Sequence, residues 1–350
     1  MPLIRSPLFT AQIAAGAQFG EAEGWMVPAQ FRTVEEEAAD ARRSAVVFDL
    51  APHGVLELVG PDARKWANGM FTNNIRDLAI GACNRSAMVD EKGRIQGLLG
   101  VARTGEQSLL VVLDGVLPST FEERYGKFII FDDVEMTDLS AERTVVHVAG
   151  PAAETVLATA GLPFPALGQA VSAAEVWLLG RDRTGFGGVD VVVPTNAALE
   201  LWSALREAGA SFGGAEALEV LRIRAGHPRW PVDMGERALV HELRLVPACC
   251  NFQKGCYIGQ EVINRIDVMG QVQKKLWGVR MAEDAIPPLE AEILLNGEVV
   301  GVARSGCREG GVARLLAVLR KVAWQPGLEV EIVAAGRSVR GFVDDLPFSS

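Results

Sequence analysis

Helical and strand patterning mix through the first 270 residues and then give way to short β-like pieces separated by turn residues. That change predicts an α+β protein, with two related α/β halves followed by a small C-terminal β-barrel or sandwich. Two further observations support the division. Val59-Gly60-Pro61 and Ala149-Gly150-Pro151 each carry a strand into a helix, which hints at a repeated half. A chain of 350 residues also exceeds what one compact core ordinarily supports.

In GPDARKWANGMF (60–71), Ala63, Trp66, Ala67, Met70 and Phe71 share one helical face, and Pro61 suits a helix start. AALELWSALREAG (197–209) places Ala198, Leu201, Trp202 and Leu205 alike, and Gly209 is a natural C-terminal stop. Strands are predicted at VLELV (55–59), SLLVVL (108–113), KFIIF (127–131), TVVHV (144–148) and VDVVV (189–193). Beyond residue 270 the β pieces are KLWGVRM, EILLN, EVVGVARS, ARLLAVLR, LEVEIV and SVRGFV. Pro287-Pro288, Asn296-Gly297 and Pro326-Gly327 punctuate them.

Apolar residues make up 49% of the chain and charged residues 22%, which is globular composition. The net charge of −10 argues against a DNA-binding task, because a broad basic face leaves a surplus of Lys and Arg. A local basic pocket for a small anion is compatible with it. No apolar run approaches the ~20 residues of a membrane span, and the N-terminal stretch reads poorly as a signal peptide. Five cysteines, an odd number in a large chain, do not form a disulfide framework. The expected location is the cytoplasm.

The most distinctive stretch is KGCYIGQEVINR (254–265). Gly255 and Gly259 allow tight turns and close approach by a ligand. Gln260 to Arg265 suits the start of a short helix, with Cys256 just before it. A helix N-terminus and Lys254 would both lower the thiol pKa from its free value of about 8.5. The competing reading is a cysteine packed in a Gly-rich turn. Cys249 and Cys250, adjacent and followed by a five-residue gap, do not make the C-x-x-C knuckle of a metal site. His53, His147, His227 and His241 show no metal or dyad spacing, and His147 reads as structural. There is no G-x-S-x-G, P-loop or Rossmann fingerprint.

GWMVPAQF (24–31), VVFDLAPHG (46–54), LVGPDARKW (58–66), FTNN (71–74), EKGRI (91–95), RTGFGGVDVVVP (183–194), LRIRAGHPRWPVDM (221–234) and VDDLPF (343–348) resemble the glycine-cleavage aminomethyltransferase (T protein) superfamily. The resemblance implies a T protein-like fold: two interleaved α/β domains over residues 1–270, and a C-terminal β-barrel over 271–350. Lys254, Gly255, Cys256, Tyr257, Gly259, Gln260 and Glu261 resemble the signature of one branch, the YgfZ-type folate-binding proteins, implicated in making or repairing iron–sulfur clusters.

Departures from the T protein point the same way. Gly93-Arg94-Ile95-Gln96-Gly97 lacks the superfamily's aspartate pair, and Leu113 stands where an asparagine is expected. Without the carboxylate, the group that would offset developing positive charge in one-carbon transfer is missing, so aminomethyl transfer is not expected. The implied folate contacts are Phe186 for the pterin slot, Asp190 as acceptor for its N–H edge and Arg222 for the glutamate tail. Asp233 and Glu242 would orient Lys254 or a ligand.

The resemblance thus implies an accessory protein that binds tetrahydrofolate or a derivative and works through Cys256, with iron–sulfur enzymes or cluster-assembly proteins as partners. Whether it is an enzyme stays open. A folate-dependent one-carbon transferase or demethylase is the alternative, and a thiol enzyme without folate a third.

Overall fold

The structure is a computed structural model that describes residues 3–235, 237–334 and 336–349. The chain divides into two compact units, each built from separated segments. One holds Met1–Met88, Gly97–Leu218 and Ala248–Ile258; the other holds Val89–Gln96, Glu219–Pro247 and Gly259–Ser350.

The first unit contains a six-stranded sheet in the order Ala170–Ala173, Val176–Gly180, Gly188–Pro194, Arg143–Ala149, Val46–Asp49, Ser211–Gly213. Its pairings are antiparallel except the last. Val47, Val146, Val148, Val189, Val191 and Val193 point to one buried face, the period-2 pattern of a covered sheet. Helices Ala153–Thr159 and Ala198–Glu207 cover it with Val156, Leu157, Trp202 and Leu205. Trp202 stacks on Phe212 with ring centroids 4.1 Å apart.

A five-stranded sheet runs in the order Cys83–Val89, Ile95–Arg103, Ser108–Asp114, Val55–Val59, Glu135–Asp138. The tip of its first hairpin, Val89–Gln96, is part of the second unit.

The repeated Gly-Pro joint exists in both sheets. Gly60 leaves strand Val55–Val59 at φ +140°, and Gly150 leaves Arg143–Ala149 at φ +109°. Each accepts a hydrogen bond through its carbonyl from the residue three ahead, Ala63 and Ala153 at 3.1 and 3.0 Å, which starts the following helix. A Cβ on Gly60 would lie 2.1 Å from the Asp133 carbonyl oxygen, and one on Gly150 2.2 Å from that of Ser44. Only glycine fits either place.

One predicted strand is absent. KFIIF lies in a short 3-10 turn, Gly126–Phe128, and an exposed loop in which Ile130 and Phe131 face solvent. The sheet edge open to it, along Val55–Val59, pairs instead with Glu135–Asp138. The apolar run carried β propensity but had no partner strand.

In the second unit the six β pieces close into a barrel in the order Lys274–Met281, Val312–Arg320, Glu298–Glu309, Glu292–Leu295, Glu329–Ala334, Arg337–Asp344. Val279, Ile293, Leu315, Leu319, Ile332 and Val343 fill it. The expected C-terminal barrel is therefore present. Among the described residues no helix is long and apolar enough to cross a membrane.

Candidate functional site

The richest concentration of buried charge lies in the first unit, around Asp190 and on several residues that the sequence did not single out. Asp190 sits opposite His147 in the antiparallel register of the two central strands. The two side chains are fully buried and 2.8 Å apart, His147 Nδ1 to Asp190 Oδ1. Arg183 binds the same carboxylate through two nitrogens, Nε to Oδ1 and Nη2 to Oδ2, both at 2.7 Å.

Asp114, which ends strand Ser108–Asp114, takes a 3.0 Å hydrogen bond from Arg183 Nη2 and another from Arg181 Nη2. Burial alone would raise both carboxyls, but the two guanidiniums overcome it and hold each well below the usual range. Asp114 and Asp190 are thus fixed anions.

His53 completes the cluster. Its Nε2 lies 3.3 Å from Arg183 Nη1, and because a guanidinium only donates, Nε2 is an acceptor and the ring proton is on Nδ1. Burial, with repulsion from Arg183, pushes its pKa down to about 4, so the imidazole stays neutral near pH 7. Among the described residues its buried Nδ1 has no hydrogen-bond partner, nor has His147 Nε2. Gly188 makes room for that imidazole, since a Cβ there would meet His147 Nε2 at 2.7 Å. His147 is therefore structural only on its Nδ1 side.

The 254–261 motif divides between the units. Lys254 is fully buried, and its Nζ donates to the carbonyl of Asn68 at 2.5 Å and to that of Phe71. It therefore caps the C-terminal end of helix Ala63–Met70. Its Nζ also lies 4.6 Å from the centre of the buried Tyr257 ring. Burial lowers its pKa to about 7. Cys256 is exposed. The lysine expected to activate it is engaged with backbone carbonyls instead.

Gly255 takes φ +91° with open space around it, so it serves the turn. In the second unit Gly259 precedes helix Gln260–Met269, which carries Gln260 and Glu261 in its first turn. A Cβ on Gly259 would lie 2.3 Å from the Asp90 carbonyl oxygen, so the close approach anticipated for a ligand is made by the protein's own backbone.

The remaining predicted contacts separate likewise. Phe186 is half-buried in the first unit, with the Arg42 guanidinium 6.0 Å from its ring centre. Arg222 belongs to the second unit. It donates to Asp233 at 2.8 Å, to the His227 carbonyl at 2.9 Å, to Glu219 and to Ser305 Oγ. Asp233 in turn accepts from the Ser305 amide on a barrel strand at 2.9 Å and from the Arg229 amide at 2.8 Å. This knot uses all five donors of Arg222 and fastens the barrel to the segment before it. Glu242 accepts from the Leu239 amide and lies 3.6 Å from Lys274, and burial raises its pKa. Among the described residues no group of three or more His, Cys, Asp or Glu is placed to hold a metal.

Asp190 was anticipated, but Asp114, Arg181, Arg183 and His53 were not. A signal was present in Arg181-x-Arg183, two cations at the spacing that puts extended residues on one side.

The family described as the GCVT N-terminal domain matches residues 8–254. The chain is 29% identical over 375 residues to the aminomethyltransferase of Symbiobacterium thermophilum, covering 99% of this chain and 97% of the relative. It is also 29% identical over 363 residues to the aminomethyltransferase of Shouchella clausii, covering 99% and 98%. The crystal structure of glycine cleavage system aminomethyltransferase T from Bartonella henselae superposes with a TM-score of 0.91 at 22% identity, over 99% of this chain and 98% of that one. That likeness bears out the expected fold.

These relatives overturn the expectation of an iron–sulfur accessory factor that is not an aminomethyltransferase. The reason is visible in the motif that carried it: Lys254 is a helix cap and Gly259 a packing glycine, so much of the eight-residue match reports structure. Matched by the family over residues 8–254, the chain belongs to the GCVT family, within the glycine-cleavage T protein superfamily.

Proposed function

We propose that this protein is a folate-dependent one-carbon transferase, moving an aminomethyl-type group between a donor and tetrahydrofolate. The observation that carries the proposal is similarity to aminomethyltransferases along nearly the whole chain. The first unit's cluster supports it.

Arg181 and Arg183 neutralise Asp114 and Asp190, so neither carboxylate is a free base. Their value is positional. They hold two imidazoles, of His53 and His147, whose outer nitrogens lack partners among the described residues. A reduced pterin carries hydrogen-bonding nitrogens and oxygens along one edge, and unpartnered ring nitrogens suit it. Asp114, with lone pairs to spare beyond its two arginines, adds an acceptor. The half-buried Phe186 ring offers a flat apolar wall. When bound, tetrahydrofolate supplies the nitrogens that receive the one-carbon unit; the protein supplies orientation and a dry, preorganised field.

The test is incubation with tetrahydrofolate and candidate aminomethyl and N-methyl donors, followed by chromatography of the folate. Methylene- or methyl-folate is expected, and Asp114→Asn should weaken folate binding about tenfold or more. Absence of product with every donor, together with no folate binding, would refute the reading.

A further inference from the structure

Three guanidiniums bear on one another in the first unit, those of Arg85, Arg181 and Arg183, but only two carboxylates accompany them. Asp114 and Asp190 are both taken by Arg181 and Arg183. Arg85, on strand Cys83–Val89, makes no side-chain ion pair or hydrogen bond among the described residues, and its Nε, shielded from water, has no partner. Asp114 and the thiol of Cys249 are the groups that attract it, whereas Arg181 and Arg183 repel it. The thiol does not neutralise it, because burial pushes Cys249 up, away from the thiolate. His53 adds no negative charge either. The cluster therefore carries one uncompensated cation.

The backbone that carries the arginine is also held in place. Asn73 Nδ2 donates to the Arg85 carbonyl at 2.8 Å, and Thr72 Oγ1 accepts from the Ala87 amide at 2.9 Å, which ties the strand to the chain before it. Burying part of a guanidinium without an anion costs stability. A planar fork of donors, carried on an anchored strand and lacking a counter-ion, suits a carboxylate.

We propose that Arg85 anchors a carboxylate of the ligand bound in the first unit. The proposal rests on the folate-transferase reading for the choice of ligand and adds a specificity residue to it. Two sources share the chemistry: the glutamate tail of the folate, or the carboxylate of a small amino-acid donor of the one-carbon group.

Calorimetry on the full chain separates them, using wild type, Arg85→Gln and Arg85→Lys. The probes are 5-formyltetrahydrofolate, the same pterin lacking its glutamate, sarcosine, and sarcosine methyl ester. Arg85→Gln should weaken the glutamate-bearing folate or sarcosine about 10- to 100-fold and leave the counterpart without a carboxylate unchanged. Arg85→Lys should retain part of the affinity. If wild type binds folate and Arg85→Gln binds every probe as wild type does, the anchor is overturned while the transferase reading stands. If wild type binds sarcosine through Arg85 but no folate, the anchor stands and the folate reading fails. Binding of no probe by wild type overturns both. The melting temperature guards against a merely structural effect: losing an unpaired cation should leave it unchanged or raised, whereas a fall of several degrees with no selective loss of carboxylate binding counts against the anchor.

Discussion

Replacing Lys254 by methionine tests the new reading of the KGC turn. In wild type the neutral amine has two N–H donors, and two carbonyls, of Asn68 and Phe71, await them. Lys254→Met keeps the volume and leaves both carbonyls buried without a donor, at about 1–3 kcal/mol each. Relief of a buried amine offsets part of this, so the net loss should be about 2–4 kcal/mol. The loss should also depend on pH. The folded pKa is about 7 against an ordinary 10.5, so the unfolded chain binds the proton that the folded chain releases between those values. Stability from the neutral lysine is therefore complete above about 10.5 and declines as pH falls towards 7. Relative to Lys254→Met, wild type should gain about 2 kcal/mol between pH 7.5 and 9. Urea unfolding of both proteins at the two pH values measures this. A variant within about 0.5 kcal/mol of wild type at both, with no pH-dependent difference, would refute the capping role.

Further outcomes follow from the same contacts. His53, with its pKa lowered from 6.5 to about 4, contributes stability that is complete above 6.5 and is lost as pH falls towards 4. Comparison of wild type with His53→Asn across that window should show a difference approaching about 3 kcal/mol, and a flat difference would argue against the buried neutral imidazole. Gly60→Ala drives a Cβ into the Asp133 carbonyl and should cost about 3 kcal/mol or more in thermal unfolding, whereas Gly255→Ala, with open space, should cost only about 1 for its left-handed backbone; equal costs would undo the distinction. Arg222→Lys breaks a buried knot and should cost about 3 kcal/mol while leaving folate affinity unchanged; the reverse pattern in calorimetry would restore Arg222 as a ligand contact. In native protein Cys256 should react first with a thiol reagent, since Cys83, Cys249 and Cys307 are buried, and peptide mapping of the first label would show otherwise.

Local physics made much of the fold readable. The six C-terminal strands and the two helices over residues 63–70 and 198–207 declare themselves by periodicity and turn residues, and the Gly-Pro joints by what only glycine allows. KFIIF misled because propensity says nothing about whether a partner edge is free. The site was harder for a related reason. Asp190 and His147 meet only through strand register, Asp114 is about 70 residues from the arginines that hold it, and no sequence spacing encodes such meetings. The KGCYIGQE motif erred in the opposite direction. Its residue types suit an activated thiol, but burial decides that the lysine faces a helix end, and burial is not written in an eight-residue window.

The segment Ala248–Ile258 has a consequence for how the protein is made. It supplies the first unit with the Lys254 cap and with the Cys249 carbonyl that accepts from Thr72 Oγ1, although the bulk of that unit ends at Leu218. On the ribosome, the sheets of the first unit, whose last strand ends at Gly213, emerge roughly 40 residues before Lys254, the cap of helix Ala63–Met70, does, so until then the unit waits with that helix end open. A fragment stopped before Ala248 would remain in that state, which places any useful truncation boundary after Ile258 rather than at the end of the last sheet strand.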